Sequence, residues 1–159
     1  YWREFRLIDW FTWIGFSIKE IHSEVLRSKE YKYETMFLPH DAEVESMNDH
    51  KTRSAQLKEL GYNVITLDRT AISDRHDNVR DNFQNCWFDK SNCEKPLDIL
   101  RSYKKKWNES VWDWMQESEK NVARHTADSF GYSIQAITSY LLLTRPKGRT
   151  ITRSMWKLI

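Results

Sequence analysis

The chain has 159 residues, the usual length of one domain with its own core, and 40% are hydrophobic and 30% charged, as in ordinary globular proteins. The formal net charge of +2 is too small to indicate a nucleic-acid partner by itself. Two cysteines, Cys86 and Cys93, argue against a disulfide framework or a structural zinc site, and we expect both to be reduced in an intracellular protein. The apolar run from Tyr140 to Leu143 is far shorter than a membrane span, so no membrane association is expected.

The first part of the chain alternates strand and helix patterns. Residues Arg3 to Trp10 alternate in polarity, which predicts a strand. Ser17 and Glu20 have the spacing of a capping box, which predicts the start of an amphipathic helix. Met36 to Leu38 is predicted as a short buried strand that Pro39 ends, because proline cannot donate to a strand ladder.

The alternation continues through the middle of the chain. A helix is predicted from about Thr52 to Leu60, with Gly61 as its C-terminal stop, and a strand from Asn63 to Leu67. Ser73 is a candidate N-cap for the next helix. The predicted buried face of that helix carries Ile72, His76, Val79, Phe83 and Cys86.

Two further helices complete the pattern. One is predicted to bury Leu97, Leu100, Tyr103 and Trp107, and the last runs from about Val122 to Leu143. On the last helix, Ala127, Phe130, Ile134, Ile137 and Leu141 form one apolar stripe. Strands that alternate with helices predict an α/β fold in which at least part of the sheet is parallel.

Two carboxylates are candidates for a metal site. Asp41 lies in the run Leu38–Ala42, just beyond a predicted strand, where parallel sheets usually bind ligands. Asp128 lies near the start of the last helix, and Gly131 on the same side is expected to leave that face open. Converging carboxylates repel each other unless a cation lies between them, and oxygen ligands suit Mg²⁺ or Mn²⁺. Two such ions roughly 3.5–4 Å apart can hydrolyse a phosphodiester, so this reaction is predicted.

Each acid also has a simpler explanation. Asp41 could cap the turn after Pro39, and Asp128 could be an acid near a helix start, where the helix dipole favours negative charge. Neither motif decides between these interpretations when it is taken alone.

A series of segments, in a fixed order, carries a resemblance to a known family. In chain order they are Ile8–Phe11, Gly15, Tyr31–Tyr33, Leu38–Ala42, Thr52–Gly61, Asp77–Arg80, Cys86–Asp89, Leu100 with Tyr103, and His125–Tyr132. Between about Phe5 and Ile137 the chain resembles the C-terminal nuclease domain of the large terminase subunit of tailed bacteriophages. The resemblance implies an RNase H-like mixed sheet flanked by helices, and an endonuclease that cuts concatemeric DNA during genome packaging.

The resemblance also implies roles for individual acids. Asp41 matches the second metal-binding acid of the family and Asp128 the third, so both are predicted to be catalytic and to bind two Mg²⁺ or Mn²⁺ ions. The first acid has no match, and we expect its strand to lie upstream of Tyr1, so this piece is expected to cut weakly or not at all. Asp9 also ends a predicted strand, and we expect it to be structural or to support the ligands. Replacement of either metal-binding acid by alanine is expected to leave the fold intact.

Other residues around the acids receive supporting roles. His40 and His125 flank the two aspartates, and we expect them to orient a carboxylate or to contact a phosphate rather than to bind metal directly. The family often has arginine at the position of Gly131, so a phosphate contact expected there has no side chain in this sequence. Candidate contacts to the DNA backbone are Arg53, Arg80, Lys104 and Lys105, although solvated surface residues would look the same.

The implied partners are double-stranded DNA and, in the parent protein, an N-terminal ATPase domain, a portal and a small terminase subunit. The chain contains no Gly-x-x-x-x-Gly-Lys-Ser/Thr run, so it does not itself carry a nucleotide-binding loop of that kind. We expect the protein in the host cytoplasm during phage assembly and not in the virion.

We divide the chain into an N-terminally truncated nuclease domain, residues 1–143, and a basic tail, residues 144–159, which contains no acidic residue. Three hypotheses follow from the sequence. The first is a metal-dependent endonuclease, and the second is a catalytically silent DNA-binding or packaging interaction module with the same fold. The third is an unrelated α/β domain in which both aspartates only cap turns and helices.

Overall fold

The computed structural model describes residues 4–12, 15–45, 50–118 and 122–143. The protein is a mixed α/β structure. Its strands are β1 (Phe5–Leu7), β2 (Met36–Leu38), β3 (Val64–Thr66), β4 (Cys86–Phe88), β5 (Lys105–Asn108) and β6 (Asp113–Ser118). Its α-helices are α1 (Ile18–Glu20), which continues as a π-helical segment (Ile21–Leu26), α2 (Arg53–Glu59), α3 (Ile72–Phe83), α4 (Lys90–Arg101) and α5 (Val122–Leu143). A 3₁₀ turn (His40–Glu43) follows β2.

The described strands pair two by two. β1 is parallel to β4, with Leu7 opposite Phe88, and β2 is parallel to β3, with Leu38 opposite Thr66. β5 and β6 form an antiparallel hairpin. The prediction of parallel pairing is therefore confirmed, and the carboxyl ends of β2 and β3 lie side by side.

Several predicted element boundaries are confirmed by their capping contacts. Ser17 and Glu20 form the capping box: the Ser17 hydroxyl accepts from the Glu20 N–H at 3.3 Å, and the Glu20 carboxylate accepts from the Ser17 N–H at 2.7 Å. Thr52 caps α2 by accepting from the Ala55 N–H at 3.0 Å. Gly61 follows the end of α2 with φ +90°, a conformation that glycine adopts without steric cost.

Other boundary predictions are wrong. The first strand covers only Phe5–Leu7, and α3 begins at Ile72, so Ser73 lies inside its first turn and Ala71 is the N-cap. Cys86 belongs to β4 rather than to the helix before it. α4 ends at Arg101, so Tyr103 and Trp107 lie beyond that helix, and Trp107 belongs to β5. The pairing of β4 with β1 and of β5 with β6 places Cys86 and Trp107 in strands. Short apolar runs do not reveal such pairing.

The core has two clusters of buried side chains. One joins the π-helical segment, β2, α2 and β3 through Ile21, Leu26, Met36, Leu57 and Val64. The other joins β1 and α5 through Phe5, Phe130 and Ile134. The predicted stripe of α5 is thus confirmed at Phe130 and Ile134, whereas the side chain of Leu141 lies outside the described part. Among the helices of the described residues, each is too short or too polar to cross a membrane.

Candidate active site

Asp41 lies in the turn that follows β2. Pro39 has an extended backbone, and the chain then closes into a 3₁₀ turn in which the Ala42 N–H donates to the Pro39 carbonyl at 3.0 Å. Ala42 is buried and anchors the turn, whereas Asp41 is exposed. The carboxylate of Asp41 is therefore presented to solvent just beyond the carboxyl end of β2.

Glu43 fastens this turn to the neighbouring strand. Its carboxylate accepts a hydrogen bond from the Thr66 hydroxyl at the end of β3. This hydrogen bond lowers the pKa of Glu43 below its ordinary value. The turn that carries Asp41 is thus tied to both strands of the parallel pair.

Helix α5 packs along β2 in the opposite direction. The ring of Phe37, within β2, lies 5.5 Å from the ring of Tyr140. Beyond the strand, His40 Nδ1 lies 3.4 Å from the hydroxyl oxygen of Tyr132. A position farther along the chain from β2 therefore meets an earlier position in α5. Because Tyr132 lies one helical turn after Asp128, the turn that carries Asp41 is a neighbour of this part of α5.

A buried arginine binds Asp128. Arg75 of α3 places Nη2 at 2.8 Å from Asp128 Oδ1, and its side chain is only 6% exposed, against 31% for Asp128. Arg124, one turn earlier on α5, places Nε at 3.9 Å from Asp128 Oδ2. Asp128 thus has two cationic neighbours, and the closer one is almost fully removed from water.

The guanidinium of Arg75 also contacts an aromatic ring. Its Cζ lies 4.2 Å from the ring centroid of Tyr132, a distance at which a cation is attracted to the face of the ring. We call His40, Arg75, Asp128 and Tyr132 the Arg75 cluster. It connects α3, α5 and the turn after β2.

Gly131 makes room for Arg75. A Cβ atom at this position would lie 2.9 Å from Arg75 Cγ and 3.0 Å from Arg75 Cδ, closer than side chains normally approach. The prediction that Gly131 leaves the helix face open is therefore wrong, because the stem of Arg75 fills that space.

Gln135 holds α5 against the loop after β3. Its Nε2 donates to the Asp68 carbonyl at 2.9 Å, and its Oε1 accepts from the Thr70 hydroxyl at 3.1 Å. Gln135 is 7% exposed, so these bonds are shielded from water. Together with the contact between His40 and Tyr132, they hold the middle of α5 near the carboxyl ends of β2 and β3.

Asp9 has partners of its own. Its Oδ2 accepts from the Tyr31 hydroxyl at 3.1 Å and lies 3.3 Å from Lys29 Nζ, while Oδ1 accepts from the Trp10 N–H at 3.0 Å. The Asp9 side chain is 9% exposed. These contacts are those of a structural residue at the end of β1, as the sequence analysis expects.

The remaining candidate residues lie on the surface. His125 is exposed on α5, and Arg53 is exposed at the start of α2. Arg80 is exposed and pairs with Asp77 at 2.6 Å on the same helix. Lys104 is exposed just before β5, whereas the side chain of Lys105 and the basic tail, residues 144–159, lie outside the described part.

Asp41 and Asp128 are suitable ligands for a divalent cation, but two carboxylates are too few for a complete metal site. Asp41 and Asp128 offer hard carboxylate oxygens, which Mg²⁺ and Mn²⁺ prefer. In the part of the chain that the structure describes, however, no group of three or more His, Cys, Asp or Glu side chains could hold a metal ion. The described residues thus provide part of a metal site at most.

Arg75 and Tyr132 were not predicted as site residues from the sequence. Arg75 shares the helical face of Ile72, His76 and Val79, but an arginine is rarely buried without a partner, and the sequence does not reveal that partner. The available signal was Gly131, three residues after Asp128, since a glycine inside a helix often marks close packing. The glycine indicates that another part of the protein packs closely against α5, but it does not identify the side chain that does so.

The chain matches no protein-family model, and neither curated proteins nor solved structures give a significant match.

Proposed function

We propose that the chain is the metal-dependent endonuclease domain of a phage terminase large subunit, which hydrolyses DNA phosphodiester bonds during genome packaging. The observation that carries the proposal is the antiparallel packing of α5 on β2. It brings His40, the neighbour of Asp41, to Tyr132, which lies one helical turn after Asp128 on α5. The third hypothesis, two unrelated capping aspartates, does not require these two segments to be neighbours.

The proposed fold is RNase H-like, with a mixed sheet flanked by helices. Support comes from the two parallel strand pairs and from α5, which packs against β1 and β2. The first acidic ligand, in this proposal, belongs to a strand upstream of Tyr1. A complete site would then join three carboxylates.

In the proposed chemistry, both aspartates are ligands of the metal ions. Bound Mg²⁺ or Mn²⁺ ions, two in a complete site, would activate a water and stabilise the leaving oxygen. Asp41 would supply carboxylate oxygens from an exposed turn, and Asp128 would supply its own from α5. His40, next to Asp41 and close to Tyr132, would orient the turn or meet the scissile phosphate, as in the sequence-based expectation.

The proposed substrate is double-stranded DNA bound through its backbone. Exposed Arg53, Arg80 and Lys104 are candidate phosphate contacts. The proposed setting is the host cytoplasm, together with an N-terminal ATPase domain, a portal and a small terminase subunit. These partners rest on the resemblance alone.

A second candidate function is a catalytically silent DNA-binding module with the same fold. The specific observation in its favour is the ion pair between Arg75 and Asp128 at 2.8 Å. A carboxylate that already holds a buried guanidinium is a poorer metal ligand than a free one.

Nicking of supercoiled plasmid in Mn²⁺ separates the two functions. The nuclease proposal expects nicking that chelation abolishes and that Asp41→Asn removes, weakly in this chain and strongly once the upstream strand is included. The silent module expects DNA binding that weakens as salt rises, without cleavage in either form. Cleavage that survives Asp41→Asn unchanged would refute the assignment of the site.

A further inference from the structure

The charges around Asp128 are balanced without a metal ion. Arg75 reaches Oδ1 at 2.8 Å and Arg124 lies 3.9 Å from Oδ2. Arg75 brings its charge into a position with 6% exposure, where water screens it poorly. A divalent cation that approached Asp128 would meet this guanidinium at Oδ1.

We propose that Arg75 is a positioning residue that occupies the cation position at Oδ1 of Asp128 and thereby weakens the binding of a divalent cation to this carboxylate. This inference rests on the proposed function, because it concerns the same carboxylate. The two positive charges repel each other, and the hydrogen bond from Arg75 uses lone-pair capacity of Oδ1 that a metal ion would otherwise take. Arg75 therefore limits the metal affinity of the site.

The surroundings of Arg75 give the guanidinium a second contact. Tyr132 presents its ring 4.2 Å from Cζ, and this attraction does not depend on Asp128. Asp128 is 31% exposed, so water can solvate its carboxylate when Arg75 withdraws. When Arg75 is displaced from Asp128, its guanidinium thus has a favourable contact with Tyr132, and water solvates the Asp128 carboxylate.

Gly131 offers a way to disturb Arg75 without removing its charge. The alanine Cβ would meet the Arg75 stem at 2.9 Å, so the side chain must shift and its contact with Asp128 must change. Alanine also favours a helix more than glycine does. Gly131→Ala is therefore a test variant that keeps the charge of the chain and does not weaken α5.

The test is a Mn²⁺ titration of the protein, followed by the electron paramagnetic resonance signal of free Mn²⁺. We expect Arg75→Met to bind Mn²⁺ roughly fivefold or more tightly than the unaltered chain. Arg101→Met is the matched control, because Arg101 is exposed and pairs with Asp98 on α4 instead. We expect it to change the affinity by less than about twofold.

A double variant shows whether the gain belongs to Asp128. Arg75→Met combined with Asp128→Asn should lose the increase, because the uncovered carboxylate is gone. Circular dichroism checks the fold of each variant. If Arg75→Met does not fold, Gly131→Ala carries the test, with an expected increase of roughly twofold or more.

The outcomes separate this inference from the proposed function. Mn²⁺ binding that depends on Asp41 and Asp128 but is unchanged or weaker in folded Arg75→Met would overturn the role of Arg75 and leave the nuclease proposal standing. Absence of Mn²⁺ binding in every folded variant, Arg75→Met included, would overturn the inference and leave the nuclease proposal to the plasmid-nicking test. Tighter binding in Arg75→Met that persists after Asp128→Asn would also overturn the inference.

Discussion

Strands β1 and β2, each parallel to a different partner strand, both end shortly before an aspartate, yet the two carboxylates have different surroundings. Asp9, after β1, is 9% exposed and is held by Lys29, Tyr31 and the Trp10 N–H. Asp41, after β2, is exposed on a turn in which its backbone carbonyl accepts from the Val44 N–H at 3.1 Å. A strand-end aspartate can thus be a structural part of the fold or a group available to a ligand, and its charge partners decide which.

The largest effect is expected at Asp41. Asp41→Asn should reduce Mn²⁺-dependent nicking by roughly 100-fold or more, because a metal ligand loses its charge. The free energy of unfolding should change by less than about 0.5 kcal/mol, because the side chain is exposed. Plasmid nicking and urea denaturation measure the two quantities. Asp81→Asn, an exposed acid on α3, is the control and should alter neither.

Asp128→Ala should change stability as well as activity. Removal of the carboxylate leaves the buried guanidinium of Arg75 without its acceptor at 2.8 Å, which costs about 1–3 kcal/mol. The contact with Arg75 therefore replaces the expectation that alanine here leaves the stability untouched. Asp128→Asn keeps an acceptor oxygen and should cost less. Equal denaturation midpoints for Asp128→Ala and the unaltered chain would show that Arg75 does not need this partner.

Asp9→Asn tests whether Asp9 is a structural residue rather than a metal ligand. Loss of the charge facing Lys29, at a side chain that is 9% exposed, should lower the free energy of unfolding by about 1–2 kcal/mol. Mn²⁺ affinity should stay the same, because Asp9 is held by its own partners. A loss of Mn²⁺ binding at unchanged stability would instead make Asp9 the substitute for the missing first acid.

The sequence predicted local features better than long-range ones. The bounds of α5, the capping box of α1 and the stop of α2 at Gly61 depend on neighbours in the chain, and they are confirmed. The β4 strand and the β5–β6 hairpin depend on pairing with distant segments. Periodicity within a single window contains no information about that pairing.

The same distinction applies to the candidate site. The positions of Asp41 beyond β2 and of Asp128 near the start of α5 follow from local pattern. Arg75 reaches Asp128 across 53 positions of sequence, and only the packing of α3 on α5 determines that contact. Sequence reasoning therefore found the acids but not the cation that holds one of them.

The smallest effects come from two matched tyrosines, one near each strand end. Tyr31 donates to Asp9 Oδ2 at 3.1 Å, and burial together with this bond raises the pKa of Tyr31 above its ordinary value. Tyr132 lies 3.4 Å from His40 Nδ1, which is a long contact for a hydroxyl. Tyr31→Phe should cost about 0.5–1.5 kcal/mol. Tyr132→Phe should cost less than about 0.5 kcal/mol, since its ring still faces Arg75.

The dependence on pH separates the two tyrosines further. Because folding raises the pKa of the Tyr31 phenol, its contribution to the free energy of unfolding is fully present below the unfolded pKa of about 10. This contribution is lost as the pH rises above that value and through the higher pKa of the folded state. Denaturation at pH 7 and at pH 10.5 should therefore show the difference between Tyr31→Phe and the unaltered chain shrinking at the higher pH. A constant difference would mean that the Tyr31 proton is not held by Asp9. Lys29 and the Trp10 N–H would then be the partners that hold the Asp9 carboxylate.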